Sequence, residues 1–222
     1  GKFEWAIDYY KSMAKKLNIT MKLGKEVTAQ EVLALKPYSI LVATGSNVIS
    51  IPLEGLDQVQ TVQAHDVLAN DMQFANKKVV VIGGGITGLE TALYINRQGT
   101  NQVSVVDMLP EWPVDMLDMR YQNEALLEVR HCNDQGVALF YNNKVVKFAD
   151  GKLFIESTKD GEVKELPADV IVLSVGVKPN DALWQELLAS GHPSVWKAGD
   201  AIATGKINKA VLHGSKFGYS LN

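Results

Sequence analysis

The chain has 222 residues, 46% hydrophobic and 21% charged, with a mean hydropathy of −0.01, an ordinary globular profile with length enough for one large domain or two small ones. Twenty-two Lys and Arg against 25 Asp and Glu leave a net charge of −3, which excludes the basic footprint of a nucleic-acid or anionic-lipid binder. A single cysteine, Cys132, excludes a disulfide framework, a C-x-x-C pair and a cysteine-only metal or iron–sulfur site within this chain; no apolar stretch has the length of a membrane span or a signal-peptide core, so the expected setting is the reducing cytoplasm.

Residues 3–17 carry apolar groups at steps of three and four and predict an amphipathic helix. A short strand is expected over 19–23 and a further segment over 26–35. Residues 39–43 read as a buried strand ending at Thr44-Gly45-Ser46. A loop over 47–57 and a short helical stretch near 65–70 follow. At Lys78 the character changes: Val79-Val80-Val81-Ile82 is the continuous apolar run of a parallel strand buried on both faces. It enters Gly83-Gly84-Gly85-Ile86-Thr87-Gly88, and residues 89–98 have helical periodicity. The next strand is expected at 102–107, helix within 111–134, and an antiparallel hairpin or meander over 136–166, punctuated by Asp150-Gly151 and Asp160-Gly161. Residues 170–176 form another buried strand. A helix over 182–188, a strand over 195–198 stopped by Gly199-Asp200, and a last helix from about Lys206 complete the pattern. The fold class is therefore α/β. A dinucleotide-binding Rossmann-like domain (residues 70–181) is inserted in a second, split domain (residues 1–69 and 182–222).

Gly83-x-Gly85-x-x-Gly88 gains force from its context, since it follows a buried strand and opens a helix. The next strand ends in Asp107, 19 positions after Gly88. Gly83 permits the tight turn, Gly85 lets a pyrophosphate approach the backbone, and Gly88 lets the helix pack on the strand. The helix N-terminus at Ile86, Thr87 and Gly88 turns free N–H groups and the positive dipole end toward the phosphates. Asp107 is placed to accept hydrogen bonds from ribose hydroxyls and to repel a 2′-phosphate, favouring NADH over NADPH. Glu90, in the first helical turn, is a carboxylate suited to the helix dipole; the resemblance described next gives it a second reading, near the nicotinamide.

Four segments in order resemble the two-domain flavoproteins of the pyridine-nucleotide:disulfide reductase superfamily. Ile40-Leu41-Val42-Ala43-Thr44-Gly45 is similar to its A-T-G motif, and the run from Gly83 to Ala92 to its NAD fingerprint. Ser174-Val175-Gly176-Val177-Lys178-Pro179-Asn180 is similar to the return strand, and Ala198-Gly199-Asp200-Ala201 to the G-D motif that meets FAD. Ala64-His65-Asp66-Val67-Leu68, Val105-Val106-Asp107-Met108-Leu109 and Gly205-Lys206-Ile207 with Ala210 and Gly214 narrow the resemblance to NADH:flavin oxidoreductases related to 2,4-dienoyl-CoA and 2-enoate reductases.

The resemblance implies NAD(H) binding through Gly83, Gly85, Ile86, Thr87, Gly88, Glu90, Asp107 and Gly176. It implies that Thr44, Gly45, Gly199 and Asp200 face FAD. It also implies a parent protein with an N-terminal TIM barrel carrying FMN and a 4Fe–4S cluster, in which hydride passes from NADH to FAD and on to an enoyl substrate. One departure is large: no strand with its own G-x-G-x-x-G loop precedes residue 40. The outer domain is therefore expected to be a remnant lacking its first βαβ unit, with unpaired strand edges and dimerisation, aggregation or a locally disordered remnant as the consequence. No protein nucleophile is proposed, because the cofactors carry hydride chemistry. The alternative reading is a stand-alone dinucleotide-binding module without catalysis. A single-cofactor dehydrogenase would need a substrate domain for which the split layout leaves no room, and a disulfide reductase a paired cysteine. Cys132 is read as a buried or incidental thiol.

Overall fold

The computed structural model describes residues 2–110 and 119–221. In chain order its elements are α1 (Lys2–Lys16), α2 (Ala29–Ala34), β1 (Ile40–Val42), β2 (Ser46–Val48), β3 (Gln60–Gln63), α3 (Ala64–Ala69), β4 (Lys78–Ile82), α4 (Ile86–Asn96), β5 (Gln102–Val106), α5 (Met119–Asp134), β6 (Ala138–Phe140), β7 (Asn143–Ala149), β8 (Lys152–Ser157), β9 (Val163–Pro167), β10 (Val170–Leu173), β11 (Val177–Pro179), α6 (Ala182–Ala189), β12 (Val195–Lys197) and α7 (Ile207–Ser220). Of the helix expected within 111–134, the part from Met119 is α5, and positions 111–118 lie outside the described residues.

Contacts divide the chain into two units, residues 46–179 and residues 1–45 with 180–222. The inner unit is a five-stranded, all-parallel sheet in the order β3-β10-β4-β5-β6. Because side chains alternate across a strand, its Val/Ile runs feed two cores. Val79 and Val81 of β4, Val103 and Val105 of β5, and Val170 and Val172 of β10 pack with Ala64, Val67, Leu89, Ala92, Leu93, Val129 and Cys132 of α3, α4 and α5. On the opposite face Val80, Ile82, Val106, Ile171 and Leu173 meet Phe148, Leu153 and Ile155. Those last residues belong to the antiparallel meander β7-β8-β9, which covers the sheet as a third layer.

Three findings depart from the sequence expectation. Segment 46–69, assigned to the outer domain, packs with the inner unit: β3 pairs in parallel with β10, and Ala64 and Val67 are buried in the helix-side core. The expected 47–57 loop contains most of β2, which pairs antiparallel with β11 within the inner unit. Residues 19–23 form no strand, and Ile19, Met21 and Leu23 are exposed. Their alternation supplies a pattern without a neighbouring backbone to pair with.

The outer unit, taken by itself, is built on the parallel pair β1-β12, whose small core joins buried Ile40, Val42 and Leu187 to Val32, Leu33, Leu183 and Trp184. Helix α2 opens with a capping box in which the Thr28 hydroxyl accepts from Glu31 N–H and the Glu31 carboxylate accepts from Thr28 N–H. The Lys197 ammonium sits 2.9 Å from Asp181 and 4.1 Å from the Trp184 ring centroid, tying β12 to the start of α6. Many large apolar side chains of this unit remain in water, with Trp5, Tyr38 and Tyr219 exposed at 72%, 87% and 81%. No described helix is long and apolar enough to cross a membrane.

Ile171→Ala, at a position with no exposure in β10, is expected to lower stability by about 2–5 kcal/mol. Trp5→Ala should change it by less than about 0.5 kcal/mol. Urea unfolding followed by circular dichroism measures both.

Candidate functional site

The carboxyl ends of β4, β5 and β10 converge on one edge of the inner sheet. Strand order reverses between β4 and β10, since β5 and β6 continue to one side and β3 lies on the other. In open α/β sheets such a switch point is where a crevice forms. Hydrogen bonds stitch the strand ends: Gly83 N–H donates to Val106 O at 2.8 Å and Ser174 N–H to Ile82 O at 2.8 Å.

The three fingerprint glycines are glycine for three different reasons. Gly83 has φ +109°, and a Cβ there would lie 2.3 Å from Ser174 O, so the β4 turn admits no side chain. Gly88 faces the carbonyl of Gly83, which a Cβ would approach to 1.9 Å; its absence lets α4 seat against the turn. Gly85 is otherwise. Its φ of −70° and ψ of 175° suit any residue, and a Cβ would meet nothing within 4 Å. It is the N-cap of α4 and has no side chain with which to cap it, so the first-turn N–H groups of Ile86, Thr87 and Gly88 are left for an external acceptor.

Asp107 follows β5. One carboxylate oxygen, Oδ2, accepts from Gly84 N–H at 2.6 Å, and the other, Oδ1, from Leu109 N–H at 2.8 Å. Each oxygen keeps a second lone pair for a ligand hydroxyl. Gly176 follows β10 with φ +91° and open space where a Cβ would be. Glu90 is exposed on α4.

In the outer unit, the turns after β1 and β12 carry the other predicted residues. The Thr44 hydroxyl donates to Asn180 O, Asn180 N–H donates to Gly45 O at 3.0 Å, and Ala198 N–H donates to Val42 O at 2.9 Å. Gly199 has φ +61°, and its N–H donates to His213 Nδ1 at 3.2 Å, which places the ring proton on Nε2. Asp200 accepts from Gly205 N–H at 3.0 Å. Thr44, Gly45, Gly199 and Asp200 thus gather at the carboxyl ends of one parallel strand pair. Asn180, Gly84 and Tyr141 were not singled out as site residues. Asn180 stood within a quoted motif and Gly84 between two fingerprint glycines, whereas Tyr141 carried no local signal.

Cys132 lies in the helix-side core with no exposure, its Sγ 3.9 Å from Leu89 O. Burial, aided by the Glu128 carboxylate and opposed by Arg97, pushes its thiol up to about 11. A buried thiol held in its protonated form is a poor nucleophile at neutral pH. Among the described residues no group of three or more His, Cys, Asp or Glu is arranged to hold a metal ion.

A family model described as pyridine nucleotide-disulphide oxidoreductase matches residues 7–214. The NADH oxidase of Thermoanaerobacter brockii is 29% identical over 229 residues, covering 100% of this chain and 34% of that protein. The bilirubin reductase of Mediterraneibacter gnavus is 33% identical over 175 residues, covering 79% of this chain and 26% of that protein. A solved 2-naphthoyl-CoA reductase, in complex with 2-naphthoyl-CoA, superposes with a TM-score of 0.80 at 27% identity over 97% of this chain and 32% of that one. The chain therefore spans about a third or less of the length of these relatives.

A raised thiol pKa favours the folded state only while the thiol is protonated. Cys132 should thus contribute fully below pH 9.0, its ordinary value, and lose about 2 kcal/mol as pH climbs toward about 11. Comparing unfolding free energies of wild type and Cys132→Ala between pH 8 and 11 should show wild type losing more.

Proposed function

The chain belongs to the pyridine nucleotide-disulphide oxidoreductase family, and from that premise we propose that its inner unit binds NAD(H) as the electron-donor half of a flavin-dependent reductase. The observation that carries this is Gly85. Nothing among the described residues requires glycine there, because its backbone is ordinary and its surroundings are open. Gly83 and Gly88, by contrast, are dictated by internal contacts. A glycine without an internal reason, at the mouth of an uncapped helix N-terminus, fits a pyrophosphate that comes close to the backbone.

Under this reading Ile86, Thr87 and Gly88 donate to phosphate oxygens. Asp107 accepts from the adenosine ribose hydroxyls and disfavours a 2′-phosphate, so NADH is the expected coenzyme. Gly176 leaves space at the end of β10 for the nicotinamide side, with Glu90 the further candidate. NADH and FAD, when bound, supply the hydride chemistry, and the protein holds, orients and shields the reacting groups.

Thr44, Gly45, Gly199 and Asp200 are proposed to contribute the outer unit's share of an FAD site. Among the described residues this unit has no second glycine-rich strand-to-helix turn, so the pyrophosphate-cradling part of that site is assigned to another portion of a longer parent protein. We further propose that this parent carries FMN and a 4Fe–4S cluster on an N-terminal barrel and reduces an enoyl-type substrate in the cytoplasm. The reductase names of the bilirubin- and 2-naphthoyl-CoA-reducing relatives support a reductive role. For the chain by itself, the missing turn favours the second reading, an NAD(H)-binding module without turnover.

Gly85→Ser tests the central claim. Serine is a better N-cap than glycine, so Tm should stay within about 2 °C of wild type or rise. NADH affinity should fall by about tenfold or more, or about 1.4 kcal/mol. Fluorescence titration with NADH is the measurement, and an unchanged affinity would remove the argument. Visible flavin absorbance in the purified chain would contradict the assignment of the FAD cradle to another portion of the parent.

A further inference from the structure

We infer that Gly84, the residue between the fingerprint glycines, determines coenzyme preference by anchoring the carboxylate of Asp107; this rests on the dinucleotide reading above. Gly84 differs from its neighbour Gly83 in lying outside the left-handed region, so its backbone would accept any residue. What excludes a side chain is space. A Cβ at 84 would stand 2.9 Å from Cε1 of Tyr141, 3.2 Å from Cβ of Asp107 and 3.4 Å from its Oδ2. The absence of that carbon lets Gly84 N–H reach Asp107 Oδ2 at 2.6 Å while Leu109 N–H holds Oδ1 at 2.8 Å.

The backbone of Asp107 is held on both sides, so only its side chain can yield. Its own N–H donates to Phe140 O at 3.0 Å, and its carbonyl accepts from Asn143 N–H at 2.9 Å. Tyr141 is packed against the helix-side core. Its carbonyl accepts from the side chain of Asn143, 8% exposed, at 2.8 Å. The ring is thus backed by core and the loop behind it is clamped, so a side chain at 84 displaces the Asp107 carboxylate.

An unanchored aspartate can swing aside and admit a 2′-phosphate. Here such a rotation breaks two charge-assisted hydrogen bonds, and the phosphate meets a negative charge fixed in place. The same anchoring aims the two remaining lone pairs at a ribose diol. Discrimination therefore depends on the position of the carboxylate as well as on its charge, and position is what Gly84 supplies.

The test is fluorescence titration of the full chain with NADH and with NADPH. Gly84→Ala should weaken NADH binding about tenfold and NADPH binding by much less, collapsing the preference. In an Asp107→Ala background the same substitution should leave the NADH-to-NADPH ratio unchanged, because the two residues act as a unit. Gly84→Ala combined with Tyr141→Leu, which makes room for the new carbon, should recover preference. Should Gly84→Ala fail to fold, Leu109→Pro, which deletes the other anchoring N–H, should lower the ratio in its place. Equal weakening of both coenzymes by Gly84→Ala would overturn the inference and make Gly84 a phosphate-loop residue only. A wild-type chain that binds NADH without preference would overturn it and leave the dinucleotide reading standing. A wild-type chain that binds neither would overturn both.

Discussion

Helix α4 rests on the sheet because two backbones meet there with no side chain between them. A Cβ at Gly88 would come within 1.9 Å of the Gly83 carbonyl, far inside any tolerable contact. That bare contact sets the height of the helix over β4, and other features follow from it. Leu89, Ala92, Leu93 and Ile95 reach Val79, Val81 and Val105 to close the helix-side core. The N-terminal amides are carried to the strand ends, where the dipole of α4 is turned outward. The turn itself is backed by β10 through the Ser174 carbonyl, which leaves no room for a Cβ at residue 83. Core packing and site geometry thus depend on the same few atoms. A substitution at Gly83 or Gly88 would alter both together, whereas at Gly85 a side chain meets neither the turn nor the helix seat.

The electrostatics at these strand ends divide along the same line. On the α4 side the field is positive and diffuse, made of N–H groups without a capping side chain. On the β5 side it is negative and localised, a single carboxylate held by two backbone donors. A ligand with an anionic end and a hydroxyl-bearing end is matched in sign by both.

Legibility in the sequence followed the source of each element's stability. Strands β4 and β10 are apolar on both faces, so composition alone marks them, and β5 needs only its valines at 103, 105 and 106. Strand β3, Gln60–Gln63, is polar and belongs to the sheet only through pairing with β10; that information is held by a segment more than a hundred residues away. The same reason explains the short pair β2-β11 and, in reverse, residues 19–23, where alternation was present and a partner was not. Within the fingerprint, the positions of the glycines were legible and their distinct roles were not. Residue 83 is explained by φ and a carbonyl, 88 by a carbonyl alone, 84 by Tyr141 and Asp107, and 85 by nothing among the described residues. One letter in the sequence stands for four physical situations.

The outer unit shows what positions motif residues when a large core is not at hand. Its parallel pair has three buried apolar residues in its cluster, Ile40, Val42 and Leu187, and two strands alone are marginal in water. The turns bearing Thr44, Gly45, Gly199 and Asp200 are instead pinned one by one through Asn180, His213 and Gly205. Such bonds contribute roughly 0.5–1.5 kcal/mol each and do not reinforce one another as a packed interior does. The conformations of these turns are consequently set locally, and their rigidity does not derive from the unit's own core. In the inner unit the order is opposite, since the two-sided core fixes the strands and the strands fix the turns. The inner site is thus preorganised by cooperative packing, and the outer turns are preorganised only as far as their individual hydrogen bonds hold.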